Sequence, residues 1–307
     1  MSRPFWVVLG PTASGKTEAA IELAMQFGLE IVNLDSRQLY IGMDIGTSKP
    51  TVAQRAQIPH HMIDMIPPDV RWDAMRYARG ARAAIEQIVS RGRRPLVVGG
   101  SGFYFAALSG ELNEDLPPRN DSLRAALRAE VEEIGSDGLW ARLALHDPTT
   151  AARLHPQDTI RIIRALEVMA LTGSPLSARG LTNPPVPWGT WRVVVLATPR
   201  NLLKTRIRRR VEDMIRGGWI TEVQSLLDAG YHRSSPGLSS LGYPEIVDHV
   251  LDGLPLGEAT VRISQRTWQY ARRQLTWCRR VPADQWVTAD SPAHAAADIA
   301  AVLEREE

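Results

Sequence analysis

Short apolar runs alternate with amphipathic stretches over about the first hundred residues of the chain. Phe5–Leu9, Glu30–Leu34 and Pro95–Val98 are brief apolar runs of the kind that forms buried strands. Between them, Lys16–Phe27 and Trp72–Ser90 repeat their apolar positions with helical spacing. Two later apolar runs predict further strands of the same sheet, Trp191–Ala197 and Gln285–Val287. Strands that alternate with helices predict a parallel sheet with right-handed crossovers, which is an α/β fold.

The pattern changes in the middle of the chain, where helical periodicity continues without a strand-like run. The predicted helices there are Ser122–Ile134, Gly138–Leu145, Thr149–Leu154 and Asp158–Leu171. Proline pairs at the two ends, Pro117-Pro118 and Pro184-Pro185, indicate extended connections. We therefore predict an all-helical insertion domain at 117–181 within an α/β core made of 1–116 and 182–307.

Composition narrows the class of protein. With 307 residues, 44% of them hydrophobic and 23% charged, the chain has the make-up of a globular protein rather than a disordered one. It contains no apolar run of about 20 residues that could span a bilayer, and we expect a soluble, cytoplasmic protein without a membrane partner. The single cysteine, Cys278, rules out an internal disulfide and a cysteine zinc site.

The net charge is only +2, but the basic residues are unevenly distributed. Of 36 basic residues only three are lysines, at positions 16, 49 and 204, and arginines crowd the segments 200–216 and 262–280. In the second segment Trp268, Tyr270 and Trp277 are interleaved with arginines such as Arg273. This pattern suits contact with RNA, and it is equally common on an amphipathic helix whose outer face is charged.

The first predicted strand leads into a glycine-rich loop that matches G-x-x-x-x-G-K-[ST]. Its residues are Gly10, Pro11, Thr12, Ala13, Ser14, Gly15, Lys16 and Thr17. The loop stands between a predicted strand and a predicted helix, so its N–H groups and the helix dipole favour a bound phosphate. Lys16 would supply a positive charge, and the Thr17 hydroxyl a ligand for Mg²⁺. The sequence therefore predicts a P-loop NTPase-like parallel sheet core flanked by helices, and a phosphate or diphosphate ligand that need not be ATP.

Asp35 directly follows the second predicted strand, where the ligands of an open α/β sheet bind. A carboxylate there could act as a general base or bind Mg²⁺, and it could equally cap a turn. The third strand ends in Gly99-Gly100-Ser101-Gly102 without an aspartate. That absence weighs against a motor-type ATPase, which holds Mg²⁺ with an acidic residue at this place. His60 and His61 are adjacent, which favours structural or substrate-positioning roles over metal binding.

These segments resemble the family of tRNA dimethylallyltransferases, also called tRNA isopentenyltransferases. The resemblance runs in order along essentially the whole chain. It includes GPTASGKT (10–17), DSRQ-x-Y (35–40), MDIGTSKP (43–50), HHMID (60–64), GGSGFY (99–104), HPQD-x-x-R-x-x-RALEV (155–168), R-x-x-x-M (210–214), LGYPE (241–245) and QYARRQLTW (269–277).

The resemblance implies a reaction. A dimethylallyl group passes from dimethylallyl diphosphate to N6 of adenosine 37, beside the anticodon of tRNAs that read codons starting with U. The products are N6-isopentenyladenosine and diphosphate. An exocyclic adenine amine is a poor nucleophile, so the transfer needs a base for the N6 proton and charge stabilisation on the leaving diphosphate. The family implies Asp35 as the base and assigns the diphosphate to the glycine-rich loop, with Thr12, Lys16 and Arg210 as further catalytic groups and Mg²⁺ on Thr17.

The resemblance also implies that the insertion grips the anticodon stem-loop of tRNA. We expect the protein to be a monomer. The expected tRNA-binding residues are Asp35, Ser36, Arg37, Gln38, Ser101, Arg124, Thr159, Ile160, Arg161, Ile162, Ile163, Arg164, Ser240, Leu241, Gly242, Tyr243, Pro244, Glu245 and Arg273. Arg161 and Arg164 are three residues apart and therefore share one face of a predicted helix.

Three other functions stay open at this point. A P-loop kinase of small molecules would share the loop, the lysine and the sheet. A prenyltransferase acting on free adenine nucleotides would share the chemistry, although a mononucleotide leaves little for the insertion to grip. A non-catalytic RNA-binding protein would keep its RNA affinity without needing the Asp35 carboxylate.

Overall fold

The structure, a computed structural model, describes residues 4–112, 116–182, 186–288 and 290–304. The chain divides into two compact units. The α/β unit consists of Met1–Ser109 and Trp188–Glu307, and the helical unit of Gly110–Pro187. The helical unit begins and ends several residues outside the 117–181 of the sequence prediction. The predicted boundary at Pro184-Pro185 lies outside the described residues.

The α/β unit contains a six-stranded sheet in which all pairings are parallel. The strands are β1 (Phe5–Leu9), β2 (Leu29–Leu34), β3 (His60–His61), β4 (Arg94–Gly99), β5 (Trp191–Ala197) and β6 (Gln285–Thr288), in the spatial order β3-β2-β4-β1-β5-β6. The predicted α/β fold and its five predicted strands are confirmed. The edge strand β3 is missed because its two residues are histidines and carry no apolar run.

Helices cover both units. They are α1 (Lys16–Phe27), α2 (Val52–Gln57), α3 (Ala74–Ser90), α4 (Gly102–Leu108), α5 (Asp121–His146), α6 (Pro148–Ala151), α7 (Thr159–Thr172), α8 (Leu176–Thr182), α9 (Arg200–Arg216), α10 (Trp219–Asp228), α11 (Tyr243–Asp252), α12 (Leu256–Cys278) and α13 (Pro292–Glu304). The helix predicted to start at Trp72 starts at Ala74, because the Asp73 side chain accepts a hydrogen bond from the N–H of Arg76 and caps it.

A hydrophobic core joins one face of the sheet to α1 and α13. Its members include Trp6, Leu23, Leu96 and Ile299, all of which are buried. This packing fixes the carboxyl ends of β1, β2 and β4, and these ends carry the loops that the sequence analysis singles out.

The helical unit has its own buried core, built from α5, α6 and α7. The two helices predicted over 122–134 and 138–145 are continuous as α5 except at Gly135, whose φ of 75° and ψ of 167° break the helical path. Asp158 caps α7 by accepting a hydrogen bond from the N–H of Arg161. Within the described part of this unit we find no strand, in keeping with the helical periodicity of its sequence.

Across the described residues, every helix is too short or too polar to cross a membrane.

Candidate active site

The glycine-rich loop lies between β1 and α1. Ala13 and Gly15 have φ values of 63° and 89°, so the chain turns sharply before the first residue of α1. Gly10 must lack a side chain, because a Cβ there would lie 2.6 Å from the carbonyl oxygen of Leu196 in β5. The loop therefore places backbone N–H groups at the positive end of a helix, which is a geometry suited to an anion.

The Lys16 side chain folds back over this loop. Its Nζ donates a hydrogen bond to the carbonyl oxygen of Pro11 at 3.0 Å. Burial and the positive charge of Arg210 together lower the pKa of Lys16 to about 8, against the opposing effects of Asp35 and Glu18. Lys16 is therefore mostly protonated at neutral pH and loses its charge within the mildly alkaline range.

Arg210 belongs to α9 and faces the same loop. Its Nε donates to the Oγ of Ser48 at 2.9 Å. Burial lowers the pKa of Arg210, whereas Glu18 and Asp35 raise it. A partly buried arginine close to another cation, Lys16, favours a bound polyanion that would neutralise both charges.

Asp35 stands at the carboxyl end of β2, as its position in the sequence predicts. One carboxylate oxygen accepts a hydrogen bond from the N–H of Arg37 at 2.7 Å, which fixes the carboxylate in the turn. The next residue, Ser36, donates its N–H to the Oγ of Ser101 at 3.2 Å, so the β2 loop is tied to the β4 loop.

One cleft brings most of the predicted donor-side residues together. The residues predicted from the sequence that line it are Thr12, Ala13, Ser14, Gly15, Lys16, Thr17, Asp35, Arg37, Gln38, Arg210, Ser240 and Leu241. Apolar groups such as Val211, Met214 and Ile263 line it as well. The cleft therefore combines three cationic side chains (Lys16, Arg37 and Arg210), the carboxylates of Glu18 and Asp35, and an apolar wall within one space.

A second, more open cavity adjoins the first and shares Arg37, Tyr270 and Gln274 with it. We call it the aromatic cavity. Its aromatic side chains are Tyr40, Trp72, Phe103, Tyr104, Tyr270 and Trp277. The predicted residues Ser36, Ser101 and Arg273 also line it. Flat rings beside arginines can stack on nucleobases and contact phosphates.

Residues 43–50 form a loop that is anchored from three directions. Gln38 donates its Nε2 to the carbonyl oxygens of Thr47 and Ser48 at 3.1 and 3.0 Å. The Nζ of Lys49 is buried and bonds to Asp44, Asp64 and the carbonyl oxygen of Tyr40. Lys49 is therefore a structural lysine.

The third anchor of this loop is Glu222 in α10. Its carboxylate accepts hydrogen bonds from the N–H groups of Asp44, Ile45 and Gly46 at 2.7, 2.6 and 3.2 Å. The sequence analysis missed this role, because Glu222 is separated from the loop by 176 to 178 positions along the chain.

The segment 240–245 contributes to the cleft only at its beginning. Ser240 and Leu241 line the cleft, whereas Tyr243 is fully buried and donates its hydroxyl to Glu222 at 2.7 Å. Glu245 is buried and bonded to Arg266. Gly242 has φ +88°, and a Cβ there would lie 2.1 Å from the ring of Trp219. Gly242, Tyr243, Pro244 and Glu245 therefore belong to the turn and the first residues of α11.

The predicted RNA-contact residues of the helical unit have several different surroundings. Arg124 bonds to both carboxylate oxygens of Glu167, at 2.9 and 2.8 Å, and Arg164 bonds to the same carboxylate at 2.5 Å. Ile162 and Ile163 are buried. Ile160 is 80% exposed, and the side chain of Arg161 is 71% exposed and paired with Asp158. The Oγ1 of Thr159 lies 3.0 Å from the Oγ of Ser136.

The histidines do not form a metal site with neighbouring residues. The Nε2 of His61 lies 2.7 Å from a carboxylate oxygen of Glu30, and the Nδ1 of His60 lies 2.7 Å from the carbonyl oxygen of Ile58. Within the part of the chain that the structure describes, no group of three or more histidine, cysteine, aspartate or glutamate side chains could hold a metal ion. The hydroxyl of Thr17 on the cleft wall is an oxygen donor that suits a Mg²⁺ ion taking its remaining ligands from phosphate and water.

Comparison with protein families gives two matches. The model described as IPP transferase matches residues 38–281, and the model described as isopentenyl transferase matches residues 4–63. The chain is 47% identical over 280 residues to a tRNA dimethylallyltransferase from Roseiflexus sp. (strain RS-1), with 91% of each chain covered. It is 42% identical over 283 residues to the tRNA dimethylallyltransferase of Geobacter sulfurreducens, covering 92% of this chain and 90% of that protein.

Solved structures agree with these matches. The full-length tRNA isopentenylpyrophosphate transferase of Bacillus halodurans superposes with a TM-score of 0.69 at 34% identity, covering 99% of this chain and 98% of the other. A eukaryotic dimethylallyltransferase, described as acting on tRNA, superposes with a TM-score of 0.77 at 27% identity, covering 90% of this chain and 70% of the other.

Proposed function

This chain belongs to the family of tRNA dimethylallyltransferases, and we propose that it transfers the dimethylallyl group of dimethylallyl diphosphate to N6 of adenosine 37 in tRNA. The observation that carries the proposal is the cleft in which Lys16 and Arg210, both suited to an anion, share one space with the Asp35 carboxylate. Family membership decides against the kinase of small molecules and the non-catalytic RNA-binding protein. It also favours tRNA over a free nucleotide, since the relatives that match about nine-tenths of the chain are tRNA dimethylallyltransferases.

We propose that the glycine-rich loop, Lys16 and Arg210 bind the diphosphate of the donor. During transfer the C1–O bond of the donor breaks and negative charge accumulates on the diphosphate. Cations and N–H groups that are already in place stabilise that charge without reorganising. The N–H of Thr12 is directed at Gln274 Oε1, so the later residues of the loop supply the N–H groups that face the diphosphate.

We propose that Asp35 accepts the proton of the adenosine amine. The N6 atom forms a bond to C1 of the donor as the diphosphate leaves, and the proton on N6 moves to the carboxylate. The hydrogen bond from the N–H of Arg37 holds this carboxylate in one orientation. The aromatic cavity is the proposed entry for the adenosine, which must leave the anticodon stack to reach the cleft.

Mg²⁺ is proposed as the cofactor, with the Thr17 hydroxyl as its protein ligand. When bound, the ion would neutralise charge on the diphosphate. Thr17 is the second residue of α1 and lines the cleft beside Lys16.

In the helical unit we propose Arg161 as a phosphate contact, because its side chain is 71% exposed. Arg124 and Arg164 donate hydrogen bonds to the buried carboxylate of Glu167. We propose that they contribute to tRNA binding indirectly, because they hold α7 in position. A monomeric state and a cytoplasmic location stay predictions.

A transfer assay tests this function. Labelled dimethylallyl diphosphate, Mg²⁺ and an unmodified anticodon stem-loop with adenosine 3′ of the anticodon are incubated with the protein. Parallel reactions replace the stem-loop by AMP, or the donor by ATP. We expect label in the stem-loop alone; label in AMP would assign the protein to free nucleotides, and consumption of ATP would contradict the proposal.

A further inference from the structure

A buried glutamine, Gln274, connects the two loops that hold the proposed donor and base. Gln274 belongs to α12 and is 5% exposed, although its side chain is polar. Its Oε1 accepts a hydrogen bond from the N–H of Thr12 at 2.8 Å, and its Nε2 donates one to the carbonyl oxygen of Gly100 at 3.0 Å. Both ends of the amide are thus used, and their chemistry fixes which end faces which loop.

The contact with Gly100 extends to Asp35. The N–H groups of Gly100 and Ser101 both donate to the carbonyl oxygen of Leu34, the residue before Asp35, at 3.3 Å. The Oγ of Ser101 accepts the N–H of Ser36 on the other side of Asp35. A short series of hydrogen bonds therefore connects the glycine-rich loop to the backbone on both sides of the proposed base.

The backbone at Gly100 is closely packed against its hydrogen-bonding partners. A Cβ on Gly100 would lie 2.2 Å from the Nε2 of Gln274 and 2.7 Å from the carbonyl oxygen of Gly10. Gln274 also lines both the cleft and the aromatic cavity. It therefore stands where the donor and the adenosine would meet.

We propose that Gln274 is a positioning residue for the transfer reaction, because it holds the glycine-rich loop and the Asp35 segment at a fixed separation. This inference rests on the proposed function. A displacement of about 1 Å between reacting groups can cost on the order of 10²-fold in rate. Loss of this connection should therefore lower kcat while leaving each substrate able to bind.

Two substitutions separate positioning from folding. Gln274→Met has a similar length and removes both hydrogen bonds. Gln274→Glu keeps an acceptor for the N–H of Thr12 but, when ionised, sets an oxygen against the carbonyl oxygen of Gly100. Protonation of that glutamate restores a donor toward Gly100, so this variant should recover activity as pH falls. The control is Gln265→Met, an exposed position on the same helix that lies outside the motif at 269–277.

The pH series must separate the new carboxyl from the native ionisable groups. Those lining the two cavities are Lys16, Glu18, Asp35, Arg37, Tyr40, His60, Tyr104, Arg210, Tyr270 and Arg273. Dividing each variant rate by the wild-type rate at the same pH removes titrations that the two proteins share.

The experiment measures prenyl transfer between pH 5.5 and 8.5, with the dissociation constants of the stem-loop and of inorganic diphosphate. We expect Gln274→Met to lower kcat by about 10- to 100-fold, with both dissociation constants within about threefold of wild type. We expect the Gln274→Glu ratio to rise toward low pH, and Gln265→Met to match wild type. A Gln274→Met variant with wild-type kcat, or a pH-independent Gln274→Glu ratio, would overturn the proposal.

If Gln274→Met does not fold, the pH series of Gln274→Glu decides alone. A wild-type protein without transfer activity would refute the proposed function instead.

Discussion

At the scale of single residues, the charge state of Lys16 determines how the cleft receives an anion. Burial beside Arg210 lowers the pKa of Lys16 to about 8, so the free protein loses this positive charge in mildly alkaline solution. A bound diphosphate favours the protonated form and raises the pKa again. The complex therefore carries more protons than the free protein above pH 8, and affinity must fall as pH rises.

The first prediction follows from this linkage. The dissociation constant of inorganic diphosphate, measured by calorimetry from pH 6.5 to 9.5, should increase above about pH 8. Lys16→Arg keeps its positive charge throughout this range. At each pH, the dissociation constant of the wild-type protein is therefore divided by that of Lys16→Arg, which removes the effect of the titration of diphosphate itself. A ratio that stays flat to pH 9.5 would show that Lys16 does not contact the anion.

The positions of site residues could be predicted from the sequence where those residues are contiguous, although their roles stay predictions. Thr12 to Thr17 line one cleft because a short loop between a strand and a helix fixes their positions. Gln274 and Glu222 were beyond sequence reasoning, since each reaches its partner loop across more than 170 positions. An isolated buried amide or carboxylate leaves no spacing pattern that could reveal its partner.

At the scale of elements, α5 and α7 are joined by a buried ion cluster. Burial raises the pKa of Glu167, but the hydrogen bonds from Arg124, from Arg164 and from the N–H of Asn120 outweigh it and bring the pKa to about 2. Because this pKa is below the ordinary value of 4.5, the cluster stabilises the fold fully above about pH 4.5. That stabilisation is lost as pH falls toward 2.

The second prediction concerns this cluster. Glu167→Gln leaves two partly buried arginines without a counter-charge, and should lower the free energy of unfolding of α5 and α7 by about 3 kcal/mol. Hydrogen exchange followed by mass spectrometry measures this local stability for the individual peptides of α5 and α7. Glu132→Gln, an exposed position on α5, is the control. Wild-type protection in Glu167→Gln would contradict the stabilising role.

Five of the six strands and the helices α1, α3, α5, α6 and α7 follow the sequence predictions, and three of the departures have clear physical reasons. Gly135 interrupts the backbone of α5 without ending the helix, so two predicted helices are one element with a break. The short helix α8 has too few residues to show a period. The strand β3 depends on pairing with β2 at Ile31 and Val32 rather than on its own apolar content.

At the scale of the whole molecule, the chain combines an α/β unit that carries the cleft with a helical unit that has its own hydrophobic core. The roles proposed for the two units are separable. The proposed chemistry requires only residues of the α/β unit, while the proposed Arg161 contact lies in the helical unit. Substitutions in the two units should therefore affect different measured quantities.

The third prediction tests this separation. Arg161→Ala should weaken stem-loop binding. It should also reduce the magnitude of the slope of log affinity against log salt concentration by about 1, while kcat at saturating RNA stays unchanged. Arg128→Ala, exposed on α5 and assigned no role, is the matched control. Unchanged affinity and salt slope in Arg161→Ala would remove it from the RNA interface.

The most direct test of the account is single-turnover transfer by Asp35→Asn, with stem-loop affinity measured on the same preparation. Asparagine can still accept the hydrogen bond from the N–H of Arg37 but is a far weaker base. We predict a rate lowered by about 10²- to 10⁴-fold, with stem-loop affinity within about threefold of wild type. A rate within tenfold of wild type would show that another group takes the N6 proton, and would contradict the account.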